Sequence, residues 1–122
     1  MLTTRKIGDI GEKYAEKYLR KNGYKILARN FLRKCGEIDI IAAKDDCTVF
    51  VEVKTRKENP LVQPCEAVNY KKKRCLIKTA TLYLLENNID SYCRFDVCEV
   101  FLNPSNHKLV RINYIEEAFY AE

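Results

Sequence analysis

Apolar residues recur at helical spacing near the start of the chain, where Ile7, Gly11, Tyr14, Ala15 and Tyr18 make one stripe and Lys13, Lys17 and Arg20 lie opposite. This predicts a helix capped by Thr3 or Thr4 that runs to about Lys21 and is ended by Gly23. From Tyr24 the period changes to two. Tyr24 to Asn30 reads as a first strand, and Gly36 to Ala43 and Thr48 to Arg56 as a hairpin around Asp45-Asp46, with Val49 to Val53 as the central strand. Lys57 to Cys65, with Pro60 and Pro64, reads as a loop. Asn69 then caps a second helix reaching Asn88, whose inward stripe is Leu76, Ala80, Tyr83 and Leu84. Tyr92 to Leu102 and Leu109 to Ile115 are strands joined by the turn Asn103-Pro104-Ser105-Asn106. The order αβββαββ, with an antiparallel start and a crossover helix, implies an α/β sandwich in which a mixed sheet is covered on both faces.

The hairpin fixes a register with chemical consequences. A two-residue turn pairs Lys44 with Cys47, and continuing the ladder sets Asp39 opposite Glu52 and Glu37 opposite Lys54. Alternation then puts Glu37, Asp39, Glu52 and Lys54 on one face, and Ile38, Ile40, Val51 and Val53 on the other. Carboxylates facing each other across a ladder lie with Cβ atoms roughly 5 Å apart and repel unless a cation or proton sits between them. The bland alternative, a surface ion-pair network, leaves unexplained why a short Asp, a poor strand former, should face Glu52.

A chain of 122 residues with 47% hydrophobic and 32% charged residues suits one compact domain, 1–122, with no repetitive tract. No apolar run approaches the roughly 18 residues a bilayer requires, and Met1-Leu2-Thr3-Thr4 leads into charge, so a cytoplasmic protein is expected. The six cysteines, at 35, 47, 65, 75, 93 and 98, include no CxxC pair, and there is a single histidine, so the pattern argues against structural zinc and for reduced core thiols. The net charge of +5 is clustered: Lys71, Lys72, Lys73 and Arg74 form one block, Arg29, Arg33 and Lys34 a second, and Arg56 and Lys57 follow the carboxylates directly. A charge run is often only a solvated helix face; beside a carboxylate site these blocks favour a polyanion.

Phosphodiester hydrolysis needs a positioned water and stabilisation of charge on phosphate and leaving oxygen. Magnesium keeps several waters and needs only one or two protein carboxylates, a role open to Asp39 and Glu52 with the Val53 backbone carbonyl as a third ligand. Lys54, on the same face as Glu52, is placed to orient or deprotonate the water or to offset transition-state charge. Glu12 lies at the border of the first helix's apolar stripe, with no salt-bridge partner at i±4; it is either a site residue or part of a solvated face. Gly8 and Gly11 weaken that helix, and close approach to a backbone or ligand is a common reason to tolerate them. Arg94 and Asp96 read as an internal ion pair, His107 as an exposed bystander beside a turn, most tyrosines as core, and Tyr70 as a candidate nucleic-acid contact.

Gly36-Glu37-Ile38-Asp39-Ile40-Ile41-Ala42 and Val49-Phe50-Val51-Glu52-Val53-Lys54-Thr55-Arg56 resemble the paired motifs of the YraN, or UPF0102, family. The resemblance runs from Gly8-Asp9-Ile10-Gly11-Glu12 through Gly23-Tyr24-Lys25-Ile26-Leu27, Arg29-Asn30, Glu66-Ala67-Val68 with Lys71 and Arg94-Phe95-Asp96-Val97 to Ala118-Phe119, nearly the whole chain. That family resembles the PD-(D/E)xK nucleases, notably archaeal Holliday-junction resolvases. The resemblance implies a restriction-endonuclease-like three-layer sandwich, dependence on Mg2+ or Mn2+, metal-binding roles for Asp39 and Glu52, and Lys54 as the catalytic lysine. It also implies a site role for Glu12, which matches an acid on the first helix. Ile38 stands where the nominal motif has proline, and Asn113 where related sequences often have histidine.

The expectation is a metal-dependent nuclease acting on DNA, including branched or repair intermediates, with RNA kept as a competing substrate. The alternative is a non-catalytic nucleic-acid-binding module of nuclease fold acting through a partner. Resolving a four-way junction takes two active sites, so a resolvase role would imply a homodimer.

Overall fold

The computed structural model describes residues 2–59 and 69–119. Its elements are α1 (Thr4–Lys21), β1 (Lys25–Arg33), β2 (Gly36–Lys44), β3 (Cys47–Lys57), α2 (Tyr70–Glu86), β4 (Tyr92–Leu102) and β5 (Leu109–Phe119). The five strands form one sheet in chain order, antiparallel except where β3 and β4 run parallel across the α2 crossover. Helices on opposite faces complete a three-layer α/β sandwich. Among the described residues no helix is long and apolar enough to cross a membrane. The expected loop from Lys57 to Cys65 and the Glu66-Ala67-Val68 segment lie largely or wholly outside the described residues, although β3 itself extends through Lys57.

Both helices start where a short polar side chain satisfies a free backbone donor. The Thr3 side chain accepts from the Lys6 N–H and the Asn69 side chain from the Lys72 N–H, at 3.2 and 2.9 Å. Gly23, at φ +87°, turns the chain out of α1 into β1. The apolar stripe of α1 buries Gly11, Ala15 and Leu19 against Ile40, Ala42, Val49, Val51 and Val100. On the other face, Leu76, Ala80 and Tyr83 of α2 pack on Ile41, Phe50, Phe95 and Val97. Thr79, absent from the expected stripe, is also fully buried and bonds the Cys75 carbonyl at 2.8 Å.

Gly11 is where α1 comes closest to the sheet. A Cβ there would stand 1.8 Å from the Thr55 Oγ1, so any side chain must push helix and strand apart. Gly11→Ala is expected to destabilise the protein by about 1–3 kcal/mol although alanine is the better helix former. Urea unfolding of Gly11→Ala, Thr55→Gly and the double variant checks this: a favourable coupling energy is expected, whereas additive losses would mean that the contact is not the cause.

The hairpin keeps its expected register from Lys44–Cys47 to Ile40–Val51, with Asp45 at φ 54° in the turn. The ladder then stops, so Asp39 does not pair with Glu52, nor Glu37 with Lys54. The apolar face also differs from expectation: Ile40 joins the α1 cluster, but Ile38 joins the α2 cluster. Strict alternation would put these two residues on one side. The cause lies in the neighbouring strand. Asn30 adopts φ 50°, and its register neighbours Arg29–Ile40 and Phe31–Ile38 place it facing Asp39. Across this kink both strands step by three: Ala28 and Phe31, like Ile38 and Ile41, meet the α2 cluster. The alternation therefore breaks at Asp39, where β2 leaves β3 and opens the sheet.

Candidate active site

The break turns a would-be ladder contact into a recess. Asp39 reaches across the gap and its Oδ2 accepts the Val53 backbone N–H at 2.8 Å. Glu52 and Lys54 alternate on β3 with Val53 between them; Val53 packs with the α1 cluster, while Glu52 meets Lys72 of α2. Glu12 enters from α1, its Oε1 accepting from the Asn30 side-chain amide at 3.0 Å. Asn30 and Asp39 thus both serve the site from the two sides of one kink. Asn30 was not among the residues singled out for the site; its signal was an Asn, a poor strand former suited to positive φ, at the end of a predicted strand.

The electrostatics of this recess are unfavourable to its own charges. Burial holds the Asp39 carboxyl far above its ordinary range, at about 7, and Glu52, Glu12 and Glu37 push it the same way while the Val53 N–H opposes them. Burial also raises Glu12, against the pull of its Asn30 bond, with Asp9, Glu37 and Glu52 adding to the rise. Glu52, with a side chain only 10% exposed, is neutralised by the Lys72 ammonium at 2.9 Å. Lys54 is in register with Glu99 of β4, between the Val53–Cys98 and Thr55–Val100 pairs.

The donor set fits a hard cation. Among the described residues no three His, Cys, Asp or Glu side chains are already gathered as a cage. Magnesium does not require one: it retains waters and takes one or two carboxylates. A partly buried carboxyl that keeps its proton to about pH 7, with further acids around it, is a donor waiting for positive charge. Asp39 and Glu52 would hold the ion, with the Val53 carbonyl as the additional oxygen and Glu12 bordering the site.

The expected basic contacts divide once their partners are seen. Lys72 is at the site, on Glu52. Lys71 lines a recess with Glu37 and Asn69, and Lys57 is exposed at the end of β3. Arg33 is instead engaged with Glu86 through its Nε at 2.9 Å and through its Nη2, and it lies over the Phe31 ring. Arg56 is bonded to the fully buried Glu99 at 3.1 Å. Arg56 therefore counters a buried carboxylate, while Arg33 forms its ion pair at the surface, with 39% of its side chain exposed. Lys34 lies by an apolar groove with Ile77 and Leu82, Lys73 over the Phe119 ring, and Arg74 beside the exposed Tyr70. Arg29 bridges Glu16 on α1 at 3.3 Å.

One expected contact is present and one expected placement changes. Arg94 and Asp96 form the internal ion pair, at 2.9 Å, and Asp96 is also bonded by Tyr114. Asn113 donates to Glu99 at 2.7 Å, helping to satisfy a buried carboxylate. His107 is not a bystander at the surface: it is half-buried, has φ 60°, and lines the same cleft as Glu12.

Comparison with known proteins finds relatives by sequence along most of the chain. Residues 11–100 match the model of a family described as uncharacterised protein family UPF0102. A UPF0102 protein of Clostridium acetobutylicum is 49% identical over 116 residues, covering 94% of each chain. One from Caldanaerobacter subterraneus subsp. tengcongensis is 46% identical over 114 residues, covering 93% of each, and one from Alkaliphilus oremlandii is 48% identical over 118, covering 94% of this chain and 98% of the relative.

Proposed function

The chain belongs to the UPF0102 family, and for it we propose a metal-dependent nuclease that hydrolyses phosphodiester bonds in DNA, including branched or repair intermediates. The observation that carries this reading is Asp39, a carboxyl pinned to the Val53 N–H in a recess shared with Glu52 and Glu12, beside a lysine two residues beyond Glu52. Magnesium or manganese bound there would supply an activated water and offset charge on the phosphate. The chain's own residues do the rest. The Val53 N–H fixes one Asp39 oxygen and leaves the other directed elsewhere. Asn30 holds Glu12 at the rim, where its carboxylate can accept a proton from incoming water. Lys54 supplies an ammonium on the β3 face that carries Glu52, suited to charge building on a non-bridging phosphate oxygen. Lys72, whose side chain is 45% exposed, can exchange Glu52 for phosphate when another cation takes over that carboxylate. Lys71 and Lys57 extend the basic surface for the rest of the strand.

A cleavage panel tests this. Single-stranded, duplex, flapped and four-way DNA are incubated with magnesium or manganese, beside the Lys54→Ala protein and matched RNA competitors. Cleavage that falls by about 100-fold or more in Lys54→Ala, with binding retained, is the expected result. Equal weak cutting by both preparations would mean contamination and sink the assignment.

The second reading is a nucleic-acid-binding module acting through a partner, and the Lys72–Glu52 ion pair is the observation that favours it, since it already neutralises one proposed ligand. Salt-sensitive binding without cleavage of any of the four DNA forms at high protein concentration would select it.

A further inference from the structure

Two glycines on one helix need separate explanations. Gly11 is required by Thr55, but a Cβ at Gly8 would meet no atom within 4 Å. A glycine inside a helix weakens it relative to alanine, and among the described residues none packs against Gly8 to repay that loss. Gly8 lies one turn before Glu12 on the same strip of α1. Both line a cleft of about 670 Å³ whose facing wall is formed by Val53, Thr55 and Lys57 of β3 and by His107 from the β4–β5 connection. The cleft therefore begins at Glu12 and runs along bare helix backbone away from it.

We propose that this cleft is a subsite for one unpaired nucleotide of the strand that passes through the carboxylate site, with Gly8 left bare so that the ligand can lie against α1. The inference rests on the nuclease reading and names the form of substrate it takes. The volume lies within the range of sites that enclose a small ligand and is far too small for a double helix. The walls suit a nucleotide's two halves. Ile7, Pro104 and the His107 ring offer surfaces against which a base can stack, while Lys57 and the Thr55 hydroxyl offer a cation and a hydrogen-bonding group for sugar and phosphate. Glu12, at the end next to Asp39, bars a second phosphate from sliding inward unless a cation is present. An enzyme with this subsite prefers junctions, flaps or single strands, where a base next to the cut is already free, over continuous duplex.

Filling the cleft from Gly8 tests the idea without touching an acid of the site. Binding of a fluorescein-labelled single-stranded decamer, and of the same sequence as duplex, is followed by anisotropy with calcium replacing magnesium, beside thermal unfolding of each protein. Gly8→Leu is expected to weaken single-strand binding by about tenfold, the scale of one lost stacked base, with duplex affinity within about twofold of wild type and a melting temperature no lower. Gly8→Ala is expected to raise the melting temperature and to weaken single-strand binding by about threefold, and it decides the matter if the leucine variant does not fold. Single-strand affinity unchanged in the variants, or an equal loss on duplex, overturns the subsite while leaving nucleic-acid binding intact. A wild-type protein that binds neither form overturns the nuclease reading and the subsite together.

Discussion

Asp39→Asn makes the metal-free protein more stable than wild type at pH 8, by about 2–4 kcal/mol, and the advantage disappears as the pH is lowered towards 4. The direction follows from the raised carboxyl. In the unfolded chain Asp39 ionises near its ordinary value of 3.8, whereas in the fold burial and the neighbouring acids hold its proton to about pH 7. Between these values the folded state binds more protons, so stability falls as pH rises from about 4 to about 7 and stays low above that. Asparagine removes the charge while keeping an oxygen for the Val53 N–H. Urea unfolding at pH 8 and pH 4.5 checks it, and equal stabilities at pH 8 would mean that Asp39 carries no penalty. Magnesium should offset the same penalty: it raises the midpoint of wild type at pH 8 and leaves Asp39→Asn nearly unmoved.

Much of the site was readable because hairpin register is arithmetic. The turn at Asp45-Asp46 fixed the pairing through Ile40–Val51, and that alone brought Asp39 and Glu52 to the same end of the sheet. The kink was not readable by the same rule, because alternation counts residues and has no term for a left-handed one. Asn30 at φ 50° resets the count in β1, and β2 follows it at Asp39, so Ile38 and Ile40 part to opposite faces. The cost of breaking the ladder is offset locally by two polar bonds, Asp39 to Val53 and Asn30 to Glu12. The partners of the cations were not readable for a different reason. Proximity in sequence to the carboxylates made Arg56 look like a phosphate contact, but its partner Glu99 stands on a strand more than forty residues later, and Arg33 finds Glu86 at the far end of α2. Tertiary pairing of this kind leaves no local trace. Lys72, in contrast, belongs to a block whose role the sequence suggested, and its contact with Glu52 is what α2 adds to the site.

Asp96 is another buried acid of the sheet, and neutralising it is expected to have the opposite effect. Its side chain is fully buried, yet every direction is answered: Arg94 binds it through Nε and Nη2 at 2.9 Å, Tyr114 donates at 2.6 Å, and the Glu117 N–H at 3.0 Å. Arg94 in turn reaches the Tyr24 hydroxyl at 2.5 Å, so the one carboxylate joins the start of β1, β4 and the bulged end of β5. Burial, and then the bond to this acid, raise the Tyr114 hydroxyl above its ordinary range, so that it is a donor near neutral pH. Asp96→Ala leaves a half-buried guanidinium, a phenol and a backbone donor without their acceptor, and a loss of about 3–5 kcal/mol is expected, a large fraction of the stability of a domain this size. Thermal and urea unfolding near pH 7 measure it; a loss below about 1 kcal/mol would show that water replaces the carboxylate without penalty. Arg94→Met with Asp96→Leu should recover part of the loss, since an apolar pair of similar volume removes both charges at once. The contrast with Asp39 separates the two acids by what surrounds them. Asp96 is buried among donors and holds the fold together, whereas Asp39 is buried among acids and destabilises it, a burden tolerable only where a bound cation removes it.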